Sequence, residues 1–290
     1  MPDWTSQIEI PTRGAIRELS ELIDKNLDLL PSTVINEYGY DPWGYSPRWA
    51  KPVAMFFALF YRYWFRVEIS GIENVPAGRM LLIGNHAGNT FAWDAAMANT
   101  AIFLHGKPPR ALRGMAEYYL PTIPFFNVFM HRVGAIVGRP ENARRLLEAG
   151  EALAVFPEGQ RGFVKPYAKR YQLQRFGYGF MRLALETNSP ILPVAIVGSE
   201  EQSPGIATSD ALARLVHAPV FPLTLTFPWL GPFGMIPFPV KFHIRFAPPM
   251  HFRGNPDDDD NKMAVKVEKV KKVISRMLED MLKKRKNVWS

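Results

Sequence analysis

The chain has 290 residues, 47% apolar and 21% charged, the make-up of one large α/β domain or two small ones rather than of a disordered segment. It contains no cysteine, which excludes a disulfide scaffold, a cysteine-ligated zinc, an iron–sulfur cluster and a thiol nucleophile. The net charge of +8 is uneven: residues 262–286 hold ten Lys/Arg against three acids, and the rest sums to +1. A basic tail on a neutral body points to an anionic surface as partner.

In chain order, residues 1–50 read as a helical preamble, with Ile16, Leu19, Leu22, Ile23, Leu27 and Leu30 at helix spacing over 15–30. The first residues carry no basic-then-apolar run, so no secretory signal is expected. Residues 53–61, VAMFFALFY, form the longest rich apolar run without proline, and even extended through Phe65 they fall short of the roughly 20 residues of a spanning helix. This aromatic helix suits either the core or the headgroup region of a membrane. The pattern then alternates: strands over 66–70 and 80–83, a helix over 95–104 with Asp94 placed to cap it, a strand over 134–137, a helix over 141–149, and a strand over 153–156. A helix over 176–187 and strands over 191–197 and 241–246 follow. Such alternation predicts a mixed, mostly parallel sheet flanked by helices.

Between the last two strands, residues 218–240 carry no charge but six prolines, which forbid a continuous helix. Part of this stretch, 223–227, reads as a buried strand, whereas 229–239 reads as an exposed apolar flap. The final element is a long helix over 262–284 with an apolar stripe at Met263, Val267, Val270, Ile274, Met277 and Met281. Its four leading aspartates and trailing lysines match the helix dipole. That stripe suits docking on the domain or attachment to a membrane surface. The expected organisation is a preamble at 1–50, a main domain at 51–255, and a basic amphipathic helix at 256–290 packed on the same domain.

Two segments carry chemistry. In LLIGNHAGNTFAWD a strand delivers Asn85 and His86, and Asp94 opens the next helix, a layout for a general base and its orienting acid. In AVFPEGQRGFVK a strand delivers Glu158, Gly159 and Arg161 to the same sheet edge. Arginine beside glycine makes an anion grip, through close backbone approach and a planar donor fork. Lys165, Lys169 and Arg170 follow, with solvated surface as their default reading and added positive potential for the grip as the alternative. The six histidines show no paired metal-ligand spacing, so no metal is expected.

Together these segments resemble the lysophospholipid and glycerol-3-phosphate acyltransferase superfamily, in order and spacing most like its monoacylglycerol acyltransferase-like branch. Asn85, His86 and Asp94 match its first block, and Phe156, Pro157, Glu158, Gly159, Gln160 and Arg161 match its third completely. Pro193 and Val194 match its fourth, and Arg132 and Gly134 are the best candidates for its second. The resemblance spans residues 65–201, and it departs from the commonest pattern in one respect. Seven residues, 87–93, separate His86 from Asp94 where four are usual, and small, turn-compatible residues among them allow a loop to bulge out.

The resemblance implies a glycerolipid acyltransferase fold, with His86 and Asp94 catalytic and Asn85, Glu158, Gly159, Arg161, Arg132 and Lys165 binding substrate. It implies transfer of a fatty acyl group from acyl-CoA or acyl carrier protein to a hydroxyl of a lysophospholipid or related glycerolipid, with no cofactor besides that co-substrate. Histidine suits base catalysis because imidazole ordinarily titrates near neutrality. Residues 53–65 and 229–239 are the candidate walls of an apolar trough. The expected location is the cytoplasmic face of a membrane, as a peripheral or monotopic protein. The alternative is a non-catalytic lipid-binding relative. A serine esterase is excluded by the lack of a Gly-x-Ser-x-Gly elbow, and the tail lacks the aromatic interleaving of a nucleic-acid binder.

Overall fold

A computed structural model describes residues 9–31 and 33–289; the first eight residues of the expected preamble lie outside it. The helices are α1 (Arg13–Asp28), α2 (Pro47–Leu59), α3 (Trp93–His105), α4 (Phe126–Arg132), α5 (Pro140–Glu148), α6 (Gln160–Phe163), α7 (Gly179–Thr187), α8 (Asp210–Leu215) and α9 (Asp260–Lys284). The strands are β1 (Glu68–Ser70), β2 (Met80–Gly84), β3 (Leu112–Ala116), β4 (Ile136–Val137), β5 (Ala152–Val155), β6 (Ile191–Val197), β7 (Gly205–Thr208), β8 (Pro222–Thr224) and β9 (His243–Phe246).

Seven strands form one sheet in the order β1-β9-β6-β2-β5-β3-β4. From β6 to β4 all neighbours run parallel; β9 is antiparallel to β6, and β1 is parallel to β9. The central strands β2 and β6 are buried along their whole length, as expected of parallel strands covered on both faces. Side chains alternate across that sheet. Met80 and Leu82 join α1, α2 and α3 in one core, while Leu81 and Ile83 join α5, α7 and α9 in the other. The strands β7 and β8 pair separately, around α8.

The basic terminal helix is tied down. Asp259 caps α9, its carboxylate accepting from the backbone N–H groups of Asn261 and Lys262 at 3.0 Å each. The stripe of Met263, Val267, Val270, Ile274 and Met277 is buried in the second core, each such side chain contributing about 1.5–3 kcal/mol. It is therefore not free to enter a membrane. No helix among the described residues is long and apolar enough to cross one.

Three local expectations change. The buried strand expected over 223–227 is confined to β8, Pro222–Thr224, and Leu225 beyond it is 59% exposed. Asp94 is the second residue of α3 rather than its cap; the cap position falls on Ala92. The strand β3 was not visible in the hydrophobic pattern, because Arg113 and Gly114 interrupt it. Arg113 is accommodated by buried pairing with Asp41 at 2.6 Å and Glu151 at 3.2 Å, which supplies the partners a buried guanidinium requires.

Candidate active site

Because β2, β5, β3, β4 and β6 run parallel, their C-terminal ends meet at one edge, where open α/β sheets bind ligands. The residues leaving that edge are His86 after β2, Glu158 after β5, Glu117 after β3, Arg139 after β4 and Glu200 after β6.

His86 and Asp94 are in contact: Nδ1 lies 2.8 Å from Asp94 Oδ2. The carboxylate is fully buried. It also accepts the N–H of Ala87 at 2.7 Å and that of Ala95 at 2.7 Å. A carboxylate only accepts, so Nδ1 carries the proton and the neutral ring keeps its lone pair on Nε2. That nitrogen has no hydrogen-bond partner among the described residues. The imidazole lies between Phe156, at 4.7 Å and 24°, and Phe163, at 5.2 Å, with 15% of its side chain open to solvent.

The enlarged gap is filled rather than loose. Trp93 stacks on Phe60 at 4.5 Å and meets Phe65 at 5.3 Å, and Phe91 stacks on Phe57 at 6.1 Å. Asn89 donates to Ser203 O at 2.7 Å. Most of the aromatic face of residues 53–65 is thereby spent on the His86–Asp94 loop, within the core.

Glu158 supports the dyad from below. One oxygen accepts the His86 N–H at 2.9 Å, the other the Gln174 N–H at 2.6 Å. Lys165 is buried beside it, its Nζ 3.9 Å from Glu158 and 3.0 Å from Glu200. Burial pushes the Glu200 carboxyl up to about 7, with Lys165 pulling the other way. Gly159 turns the chain with φ +55° and ψ −144°, a conformation essentially confined to glycine. A Cβ on Gly162 would lie 2.7 Å from Glu158 Cβ and 3.1 Å from His86 Cβ, so α6 passes directly against the dyad.

The other expected site residues divide. Asn85 gives its whole amide to Ile196, donating to the carbonyl at 2.9 Å and accepting the N–H at 2.8 Å; it locks β2 to β6. Arg161 is exposed on α6, with no ion pair or hydrogen bond among the described residues. Arg132 is drawn elsewhere: its guanidinium lies over Tyr40 at 3.7 Å and donates to Gly44 O at 2.9 Å. It precedes β4, at the opposite end of that strand from the site edge.

The Acyltransferase family model matches residues 66–197, the segment that holds the dyad and the Glu158 loop. An uncharacterized protein of Mycobacterium leprae is 35% identical over 291 residues, covering 98% of this chain and 79% of the relative. A Mycoplasma pneumoniae protein named "Probable 1-acyl-sn-glycerol-3-phosphate acyltransferase" is 28% identical over 59% of this chain and 65% of its own length. The crystal structure of the 1-acyl-sn-glycerophosphate acyltransferase PlsC from Thermotoga maritima matches with a TM-score of 0.54 at 19% identity, over 82% of this chain and 80% of that one. The chain belongs to the lysophospholipid and glycerolipid acyltransferase superfamily. The mixed sheet with its flanking helices is the fold expected of that superfamily.

Within the superfamily's sheet edge, the structure adds residues that the motif comparison missed. Arg139 leaves β4 at the same edge as His86 and Glu158, exposed and without an ion pair among the described residues. With strands about 4.8 Å apart, it lies about 10 Å laterally from the loop that carries Arg161. The available signal was its place at the end of a strand, the rule that had selected His86 and Glu158. Glu200 and Glu201 were also missed. Both are buried, and Glu201 pairs with Arg285 at 2.8 Å, tying the end of the chain to the floor of the site.

Proposed function

We propose that the protein transfers a fatty acyl group from an acyl thioester, acyl-CoA or acyl carrier protein, to a hydroxyl of a lysophospholipid or related glycerolipid, with His86 as general base. The observation that carries this reading is the 2.8 Å His86–Asp94 contact at the C-terminal edge of the sheet. It leaves an unpartnered basic nitrogen facing outward in a chain of this superfamily.

The Nε2 lone pair takes the proton of the acceptor hydroxyl as its oxygen bonds to the thioester carbonyl carbon. The tetrahedral intermediate collapses with cleavage of the carbon–sulfur bond. The leaving thiolate then takes the proton back from Nε2, giving an ester and a free thiol. Asp94 holds the ring in the productive tautomer and stabilises the transient imidazolium, as the acid of a Ser-His-Asp triad does. No protein nucleophile is required, since the acceptor itself attacks.

Arg161, and Arg139 beside it, are the exposed cations that would hold a phosphate on the acceptor or donor. Asn85, Glu158 and Lys165 act as positioning residues beneath the imidazole. The lipid substrate places the reaction at a membrane surface, and an acyl-CoA or carrier-protein donor places it on the cytoplasmic face.

The test is a mass-spectrometric screen of purified protein with lipid extract and a panel of acyl thioesters. The expected result is a new acylated glycerolipid and stoichiometric release of thiol. Lipid binding without any thiol release above the uncatalysed rate would instead support a non-catalytic relative.

A further inference from the structure

From Val216 to Val240 the sequence contains no Asp, Glu, Lys or Arg. Within this stretch, residues 225–236 fold into a tight knot. The Thr226 hydroxyl donates to Gly234 O at 2.8 Å, Trp229 Nε1 donates to Thr224 O at 3.0 Å, and the Leu230 N–H donates to Thr226 O at 3.0 Å. On it Leu225, Trp229, Leu230, Phe233, Met235 and Ile236 are each between 42% and 76% exposed. Soluble surfaces usually scatter such side chains singly, and a cluster of this kind marks an interaction site.

What covers the knot follows from its base. Trp64 Nε1 donates to Pro237 O at 3.1 Å, and Arg66 Nη2 donates to Pro239 O at 2.9 Å and to Trp289 O at 3.1 Å. The Lys241 N–H donates to Val288 O at 3.1 Å. The end of the chain therefore lies against the base of the knot, and it brings Lys283, Lys284 and Lys286, all exposed and without an ion pair among the described residues. An apolar tip with Trp and Phe above a collar of free lysines complements a bilayer of anionic lipids: rings enter the acyl boundary and ammonium groups meet phosphates. A second copy of the chain would instead set one lysine collar against another across a two-fold axis.

We propose that the 225–236 knot, with the lysines at the end of the chain, docks this protein on an anionic lipid bilayer. The knot is linked to the catalytic loop. The Phe238 N–H donates to Gln202 O at 2.7 Å, Gln202 Nε2 donates to Gly88 O at 3.0 Å, and Asn89 donates to Ser203 O. Docking would thus hold the loop after His86 close to headgroup depth, where the hydroxyl of a lysolipid lies. This inference rests on the lipid-acyltransferase reading for its purpose but not for its test.

The full chain is sedimented with phosphatidylcholine vesicles with and without phosphatidylglycerol. The triple variant Trp229→Ser, Phe233→Ser, Ile236→Ser should partition at least about tenfold more weakly on both vesicle types. The variant Lys283→Gln, Lys284→Gln, Lys286→Gln should lose binding on anionic vesicles alone, and the wild-type gain from phosphatidylglycerol should vanish at high salt. A second measurement keeps the fold intact: brominated lipid should quench wild-type tryptophan fluorescence, and Trp229→Phe should remove part of that quenching.

Wild-type partitioning by the serine variant together with unchanged quenching in Trp229→Phe would overturn the proposal. So would a concentration-dependent wild-type dimer that the serine variant abolishes while vesicle binding persists. The two readings fail separately, because a wild type that transfers no acyl group yet partitions through the knot removes the enzyme and leaves the docking surface.

Discussion

The Nδ1 atom of His86 lies 2.8 Å from Oδ2 of Asp94, although the seven residues 87–93 stand between them. The longer loop does not separate the pair because its own side chains are fixed. Phe91 packs on Phe57 of α2 and Trp93 on Phe60 just beyond that helix, and Asn89 is bonded to Ser203. The insertion thus costs little in geometry and gains a packed support.

Asp94→Asn should keep the fold and lose activity. The amide can still accept the Ala87 or Ala95 N–H, but it presents a donor or a weaker acceptor to Nδ1 and disturbs the tautomer. A fall in kcat of about 10³–10⁴-fold is expected, measured as thiol release, with the circular dichroism spectrum unchanged. A fall of less than tenfold would remove Asp94 from the mechanism.

Gly162→Ala should act on the same dyad by sterics. The added methyl would meet Glu158 Cβ at 2.7 Å and His86 Cβ at 3.1 Å, and a core overpacked in this way costs about 1–3 kcal/mol. Lower thermal stability and a lower kcat should therefore appear together. The neighbouring Gly177→Ala, whose methyl would come no nearer than 3.8 Å to another atom, serves as the control and should behave as wild type.

Arg139→Ala and Arg161→Ala should each raise KM for a phosphorylated substrate by about 10- to 100-fold, with thermal stability unchanged because both guanidinium groups are exposed. Transfer to a neutral monoacylglycerol separates the acceptor from the donor as the source of that phosphate. An equal penalty with neutral acceptors assigns the contact to the thioester's own phosphates. No penalty with any substrate would take both arginines out of the site.

Much of this site was readable in advance, and the reasons differ by residue. Phe156–Arg161 and His86 sit at the ends of short apolar runs, so strand-end logic and motif agreed. Arg139 escaped although a strand is expected just before it over 134–137, because the motif blocks point to Arg132 and Gly134 at the start of that strand and to nothing at its end. The more visible Arg132 drew attention instead, although its cation is occupied by Tyr40. In β3 the buried Arg113 broke the apolar pattern, and its partners Asp41 and Glu151 are 72 and 38 residues away. The overall alternation survived these gaps, since helices α3, α5, α7 and α9 and the central strands β2, β5 and β6 all carry continuous or periodic apolar runs.

The pH dependence of stability has one identifiable source beneath the site. Burial holds the Glu200 carboxyl up to about 7, above its ordinary value of about 4.5 in the unfolded chain. The folded state therefore favours the protonated form. This contribution is full below pH of about 4.5 and is lost as pH rises toward 7. Glu200→Gln should remove that slope, so its thermal midpoint should gain on wild type between pH 5 and pH 7.5 or so. Parallel profiles across that range would show that Glu200 does not titrate there.

The central claim is that the unpartnered Nε2 of His86 takes the proton from the acceptor. The direct measurement is transfer of a radiolabelled acyl group to lysophospholipid by wild type and by His86→Ala, with folding followed by thermal melt. The prediction is loss of at least about 10³-fold in transfer with a melting curve close to wild type. Transfer by the alanine variant at a rate near that of wild type would contradict the account.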